Sequence, residues 1–147
     1  MHSRREWNIL LVEDSPNHAN LIQRVLTHSS IRKIIVHWQR DGQTTRTFLK
    51  APNIPEISLI IVEIEALDSG GLELVEQVRN PSSPLRITPI VVLSRAQDQP
   101  ALKEYYSRGL NSWVKKPLDI TAFQKTIEFI AEFWLKHAIL PRSRQHR

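Results

Sequence analysis

Glu13, Asp14, Glu63, Ser94 and Lys116 are the residues of this 147-residue chain best placed to do chemistry together. Each stands at the end of a short apolar run. Ile9-Leu10-Leu11-Val12 leads into Glu13 and Asp14, Leu59-Ile60-Ile61-Val62 into Glu63, and Ile90-Val91-Val92-Leu93 into Ser94; Trp113-Val114 precedes Lys115, Lys116 and Pro117. A carboxylate only accepts hydrogen bonds, an ammonium only donates them, and a hydroxyl does both. The five together offer both signs of charge to one polar ligand. Short continuous apolar runs read as strands covered on both faces. When such strands are parallel their C-terminal ends share one edge, where open α/β sheets bind ligands. The five side chains are therefore expected to meet.

The elements that must position them follow from periodicity and punctuation. Residues 8–12 read as the first strand. Ser15 is placed to cap a helix and Pro16 to open it, with Leu21, Ile22, Val25 and Leu26 as its apolar stripe. Residues 34–38 read as a second strand, broken by Asp41-Gly42, and 43–50 as a helix with Phe48 and Leu49 inward. Residues 59–63 form the third strand. A loop over 65–71 carries the Gly70-Gly71 pair, and Leu72, Leu74, Val75 and Val78 mark a helix ending before Pro81. The stretch 80–89, with Pro81, Pro84 and Pro89, reads as a flexible connection. Residues 90–93 form the fourth strand. Pro100 opens a short helix through Tyr105 and Tyr106, which Gly109 ends. Residues 112–115 form the fifth strand. Asp119 or Thr121 caps a last helix whose core stripe is Ile120, Phe123, Ile127, Ile130 and Trp134. Five strands alternating with five helices predict an α/β fold: a flavodoxin-like, doubly wound parallel sheet of order 2-1-3-4-5 with helices on both faces.

Composition sets the class. Hydrophobic residues make up 41% and charged residues 24% of the chain, as in ordinary globular domains. No apolar stretch approaches the roughly 20 residues of a membrane span, and residues 1–6 lack a signal-peptide core. The absence of cysteine excludes disulfides and thiolate metal sites and is compatible with a cytoplasmic location. The net charge of +5 belongs to the ends. Of 20 Lys and Arg, six (Arg4, Arg5, Lys136, Arg142, Arg144, Arg147) lie outside residues 7–135, leaving 14. Of 15 Asp and Glu only Glu6 does, leaving 14. A neutral body with basic ends divides the chain into an N-terminal tail 1–6, a domain 7–135 and a C-terminal extension 136–147. It argues against nucleic acid as the partner.

Taken together, Ile9 to Ser15, Leu59 to Glu63, Gly71-Leu72-Glu73-Leu74, Pro89 to Ser94 and Lys115-Lys116-Pro117-Leu118 resemble the receiver domain of two-component response regulators, over about residues 7–135. No output segment follows, so the resemblance is to a stand-alone receiver. Residues 130–135, Leu140-Pro141 and the long 80–89 connection resemble the small response regulators that partner bacterial phytochrome kinases. The resemblance implies a sensor histidine kinase as partner, and the closer one a kinase of phytochrome type. It implies a hard divalent cation, usually Mg²⁺, held by Glu13, Asp14 and the acceptor carboxylate at position 63. It implies that Lys116 neutralises phosphoryl oxygens, that Ser94 hydrogen-bonds one of them, and that Trp113 changes position with it. It also implies a cis peptide bond before Pro117.

The chain departs from that pattern where the chemistry happens. The resemblance calls for aspartate at position 63, and Glu63 is one methylene longer. In-line attack on a phosphohistidine tolerates little misplacement, so phosphotransfer is expected to be absent or very slow. The displaced carboxylate could reach Lys116 or Ser94 and imitate a phosphorylated state in part, with less charge than a phosphate, or it could be inert. Glu65 adds a fourth acid, whose repulsion a cation or a raised pKa would relieve. Leu67 replaces a proline usual in the family, and Gly70 stands where an acid is common.

The expectation is therefore a non-enzymatic receiver, atypical in its acceptor, that signals by protein contact. A receiver still phosphorylated at Glu63 or a nearby acid is the alternative. A Mg²⁺-dependent phosphatase lacks its Asp-x-Asp pair after the first strand, and a nucleic-acid module is opposed by the neutral body. Phe129 and Phe133 add a second apolar line to the last helix, beside Trp134, which one sheet face does not bury. They predict a homodimer through that helix and the extension. His18 and His28 show no metal-ligand spacing and read as surface residues.

Overall fold

The computed structural model describes residues 6–28, 33–96 and 101–141. Five strands, β1 (Glu6–Val12), β2 (Lys33–Gln39), β3 (Ile57–Glu63), β4 (Ile90–Ser94) and β5 (Ser112–Lys115), form one sheet in the order β2-β1-β3-β4-β5. Every pairing is parallel. The order reverses between β1 and β3, so the sheet has the switch point at which doubly wound folds open a crevice. The expected fold and strand order are both found.

Period-two alternation sorts the strand residues into two cores. Ile9, Leu11, Leu59, Ile61, Val91 and Leu93 face the helices α1 (Pro16–His28) and α5 (Ile120–Glu132). Leu10, Val12, Ile60, Val62, Ile90 and Val92 face the side of α2 (Gly42–Lys50), α3 (Gly71–Arg79) and α4 (Leu102–Ser107). All seven residues of β3 are buried, as a strand covered on both faces requires.

Local signals set the boundaries. The Ser15 hydroxyl accepts from the His18 amide at 3.2 Å, and Pro16 is the first helical residue. Asp41 and Thr44 form a reciprocal capping box on α2. Asp119, rather than Thr121, caps α5 by accepting from the Ala122 amide at 2.9 Å. Gly109 ends the α4 segment at φ +110°, a region open to glycine. At Gly71, a Cβ would lie 2.2 Å from the Tyr105 hydroxyl and 2.6 Å from Ile64 Cδ1, so any side chain there has to displace both groups.

Several expectations change. The loop after β3 begins as a 3₁₀ turn, Ile64–Leu67, with Ile64, Ala66 and Leu67 buried. Pro100 lies outside the described residues, and α4 begins at Leu102. The connection 80–89 is anchored. Arg79 donates to the carbonyls of Gly109 (3.0 Å), Arg86 (3.1 Å) and Thr88 (2.7 Å) and to Asn111 Oδ1 (2.8 Å). One guanidinium thus answers three backbone carbonyls and a side-chain amide. Ile120 is not in the core: as the first residue of α5 it is 54% exposed. The chain after α5 widens into a π turn, Phe133–His137, closed by the Ala138 amide on the Phe133 carbonyl at 2.7 Å. That extra residue in the turn brings Leu135 and Leu140 into the core and leaves Trp134 partly buried against it. The Lys116–Pro117 bond is trans, not cis. Trans is the intrinsically favoured isomer, and the Lys116 amide is already committed to the Ser94 carbonyl at 2.7 Å. On the outer edge of the sheet the Trp113 amide donates to the Tyr106 hydroxyl at 2.8 Å.

Candidate functional site

The C-terminal ends of β1, β3 and β4 and the residue after β5 deliver their side chains to one pocket. Glu13, Glu63 and Ser94 have no exposed surface and Lys116 almost none, whereas Asp14 is exposed at the rim. Parallel register explains the meeting: Val12 pairs with Val62 and Glu63 with Leu93, so the next residues leave the sheet at one level. All five residues singled out from the sequence are at this edge.

Lys116 sits at the floor. Its Nζ donates to both oxygens of Glu13, at 3.1 and 3.2 Å, and lies 3.7 Å from Glu63 Oε2. The Ser15 amide adds a third donor to Glu13 at 3.1 Å, and the Trp38 indole holds the Glu13 carbonyl at 2.7 Å. Such a buried pair persists only when its lone pairs are satisfied this fully.

Glu63 is less well served. Neither of its oxygens has a hydrogen-bond partner. Arg95 Nε approaches Oε2 to 2.9 Å but off the donor axis, so the contact is Coulombic rather than a hydrogen bond. Burial, then the charge of Glu13 and the nearness of the Asp14 carboxylate, push the Glu63 carboxyl from its ordinary 4.5 up to about 8, against the pull of Lys116. The Arg95 side chain is 50% exposed, so solvent screens much of its charge.

Ser94 does not meet Glu63. Its hydroxyl donates to Glu65 Oε2 at 2.9 Å and accepts the Ala96 amide at 3.1 Å. Glu65 Oε1 accepts the Arg95 amide at 3.3 Å. Burial raises the Glu65 carboxyl, yet the bonds from Ser94 and the Arg95 amide outweigh it and hold the group below its ordinary value. Glu65 is thus a partner of Ser94, not merely a fourth repelling acid. Trp113 is half-buried in the sheet edge, its ring 5.1 Å from that of Tyr105 at 65°.

Sequence reasoning missed Arg95 and misplaced His18. Arg95 follows Ser94 directly, and extending the search one residue past each strand end would have found it. His18 is half-buried rather than free on the surface. Its ring packs on Phe123 at 4.9 Å with Nδ1 buried and unpartnered. Burial first, then Lys116, lower its pKa. His28 is exposed, as expected.

Oxygens of Glu13, Asp14 and Glu63 lie within 4.8 Å of one another. Together with the two unpartnered oxygens of buried Glu63, this all-oxygen set fits a hard divalent cation. It is poorly suited to softer, sulfur-preferring metals.

Comparison with known proteins agrees with this geometry. The model of the response regulator receiver domain matches residues 9–128. The probable methanogenesis regulatory protein FilR2 of Methanothrix harundinacea is 33% identical over 132 residues, which cover 86% of this chain and 83% of FilR2. Response regulator Rcp1 of Synechocystis is 30% identical over 139 residues, 90% of this chain and 92% of Rcp1. A crystal structure of Rcp1 with Mn²⁺ bound superposes with a TM-score of 0.83 at 28% identity, over 92% of this chain and 99% of Rcp1. The phosphorylated cyanobacterial phytochrome response regulator RcpA gives 0.83 at 26% identity, over 94% and 100% of the two chains.

Proposed function

The chain belongs to the response regulator receiver domain family of two-component signalling, and on that premise we propose that it is an atypical receiver, not phosphorylated in the ordinary way, that signals by protein contact. One observation carries this reading: the carboxylate ending β3, where the family resemblance calls for an aspartate acceptor, is a fully buried glutamate already paired with Arg95. Its extra methylene displaces the nucleophilic oxygen, and an in-line attack loses large factors in rate for small displacements. The chain's contribution would be recognition rather than turnover.

Its input partner on this reading is a sensor histidine kinase. The likeness to Rcp1 and to the phytochrome response regulator RcpA favours a phytochrome-type kinase. A cytoplasmic location follows from that role, and no described helix is long and apolar enough to cross a membrane. Glu13, Asp14 and Glu63 would hold Mg²⁺ or a similar cation, which would supply positive charge beside Glu63. Lys116 orients Glu13 within that set. Phe129 and Phe133, 74% and 47% exposed on one side of α5 and the π turn, with Trp134 edge-on to Phe133, are the surface for a homodimer.

Incubation of the protein with acetyl phosphate and Mg²⁺, read by intact mass, tests the reading. The expected spectrum shows the unmodified chain. A stoichiometric phosphoadduct would instead establish a receiver still phosphorylated at Glu63 or a neighbouring acid.

A further inference from the structure

The end of β4 is engaged before any ligand arrives. The Glu65 carboxylate, projecting from the 3₁₀ turn after β3, takes both outward donors there, the Ser94 hydroxyl on one oxygen and the Arg95 amide on the other. Arg95 then folds back over the pocket, its Nε 2.9 Å from Glu63 Oε2 and 3.9 Å from Glu65 Oε1. The arrangement joins β3, the turn and β4 through one anion and one cation supplied by the chain itself.

We propose that this pocket is self-occupied: Glu65 fills the anion place at Ser94, and Arg95 fills the cation place at Glu63, so that Arg95 competes with a divalent cation for the Glu63 carboxylate. The inference rests on the reading of Glu13, Asp14 and Glu63 as a cation site and names the residue that regulates it. A divalent cation seated among those oxygens would displace any proton held on Glu63 and stand a few ångströms from the guanidinium. Like charges at such a distance repel, and more strongly where the walls are buried. Arg95 is half exposed and has solvent to swing into; Glu63, wholly buried, has nowhere to go. Cation entry therefore expels Arg95, and its departure removes one of the ties at the end of β4. Glu65, which holds the Ser94 hydroxyl and the Arg95 amide, keeps the end of β4 in place until then.

Isothermal titration of the full chain with Mn²⁺ alone tests the competition. Arg95→Ala is expected to bind Mn²⁺ about tenfold more tightly than the parent, the order expected for deleting one competing charge at a part-exposed site. Arg95→Lys, which keeps the charge, is expected to stay close to the parent. A gain in affinity is not what a merely structural contact would give on removal. Amide exchange reads the anion half: Glu65→Ala should speed exchange at the Arg95 and Ala96 amides. Thermal melts establish that each variant is folded. Mn²⁺ affinity in Arg95→Ala equal to or below the parent's, or no binding by either chain, overturns the proposal. So does unchanged exchange in Glu65→Ala. A phosphoadduct from acetyl phosphate would sink the reading of Glu63 and leave these comparisons standing, so the two failures are distinguishable.

Discussion

Glu63 carries a pH dependence that its surroundings dictate. Its carboxyl titrates near 8 in the fold against an ordinary 4.5. Between those values the folded protein keeps a proton that the unfolded chain has released, so stability falls as pH rises and the contribution is lost through about pH 8. Glu63→Gln, nearly isosteric and unable to ionise, is expected to flatten that decline and to melt higher than the parent at pH 8 but not at pH 4; thermal melts across this range check it. Lys116 is the opposite case. Removing it strands the Glu13 charge in a site without exposed surface, a loss of about 3–5 kcal/mol. Urea unfolding of Lys116→Met should show it, and adding Glu13→Gln should recover much of it, because the orphaned charge is gone. At this scale the sequence was informative wherever a strand end announced a polar residue: Glu13, Asp14, Glu63, Ser94 and Lys116 all arrived where expected. It was silent on pairing. Nothing in the order of residues says that Ser94 will choose Glu65 over Glu63, because the choice depends on where a 3₁₀ turn aims one side chain.

Between elements, the tightest constraint is the meeting of α3 with α4 at Gly71. A methyl group there overlaps the Tyr105 hydroxyl and Ile64. Gly71→Ala is expected to cost about 1–3 kcal/mol, the usual penalty of overpacking. Tyr105→Phe added to it should relieve only the part owed to the hydroxyl, since the Ile64 contact remains; denaturant midpoints of the two variants measure the split. Strands and the caps of α1 and α5 were legible because apolar runs, Ser15 and Asp119 act locally, whereas Asp41 read only as a strand break and proved to cap α2. The π turn at Phe133–His137 was not. Helical spacing alone placed Trp134 in the core, whereas the extra residue in that turn hands the buried position to Leu135. The anchoring of 80–89 was hidden for a related reason: three prolines argue for a loop, and its fixation comes from the Arg79 side chain, which reaches from the end of α3 to carbonyls seven and nine residues on.

For the whole molecule, the alternation of elements made the topology readable, while the surface left for partners emerged only with burial. Phe129 and Phe133 are exposed, so Glu in place of both should leave the melting temperature nearly unchanged. On the proposed dimer, the same double variant should sediment as a monomer at tens of micromolar protein, by the order of an ordinary self-association constant, where the parent does not. A parent that is already monomeric removes the dimer. The Tyr106 hydroxyl bears on the same question from the other side. By taking the Trp113 amide it stops the outermost strand from offering that group to a neighbouring chain. An open five-stranded sheet invites ribbons to grow sideways, strand upon strand. Here a phenol occupies one of the donors β5 would offer to such growth, and the dimer proposed through α5 is instead a contact that closes on itself and keeps an assembly finite.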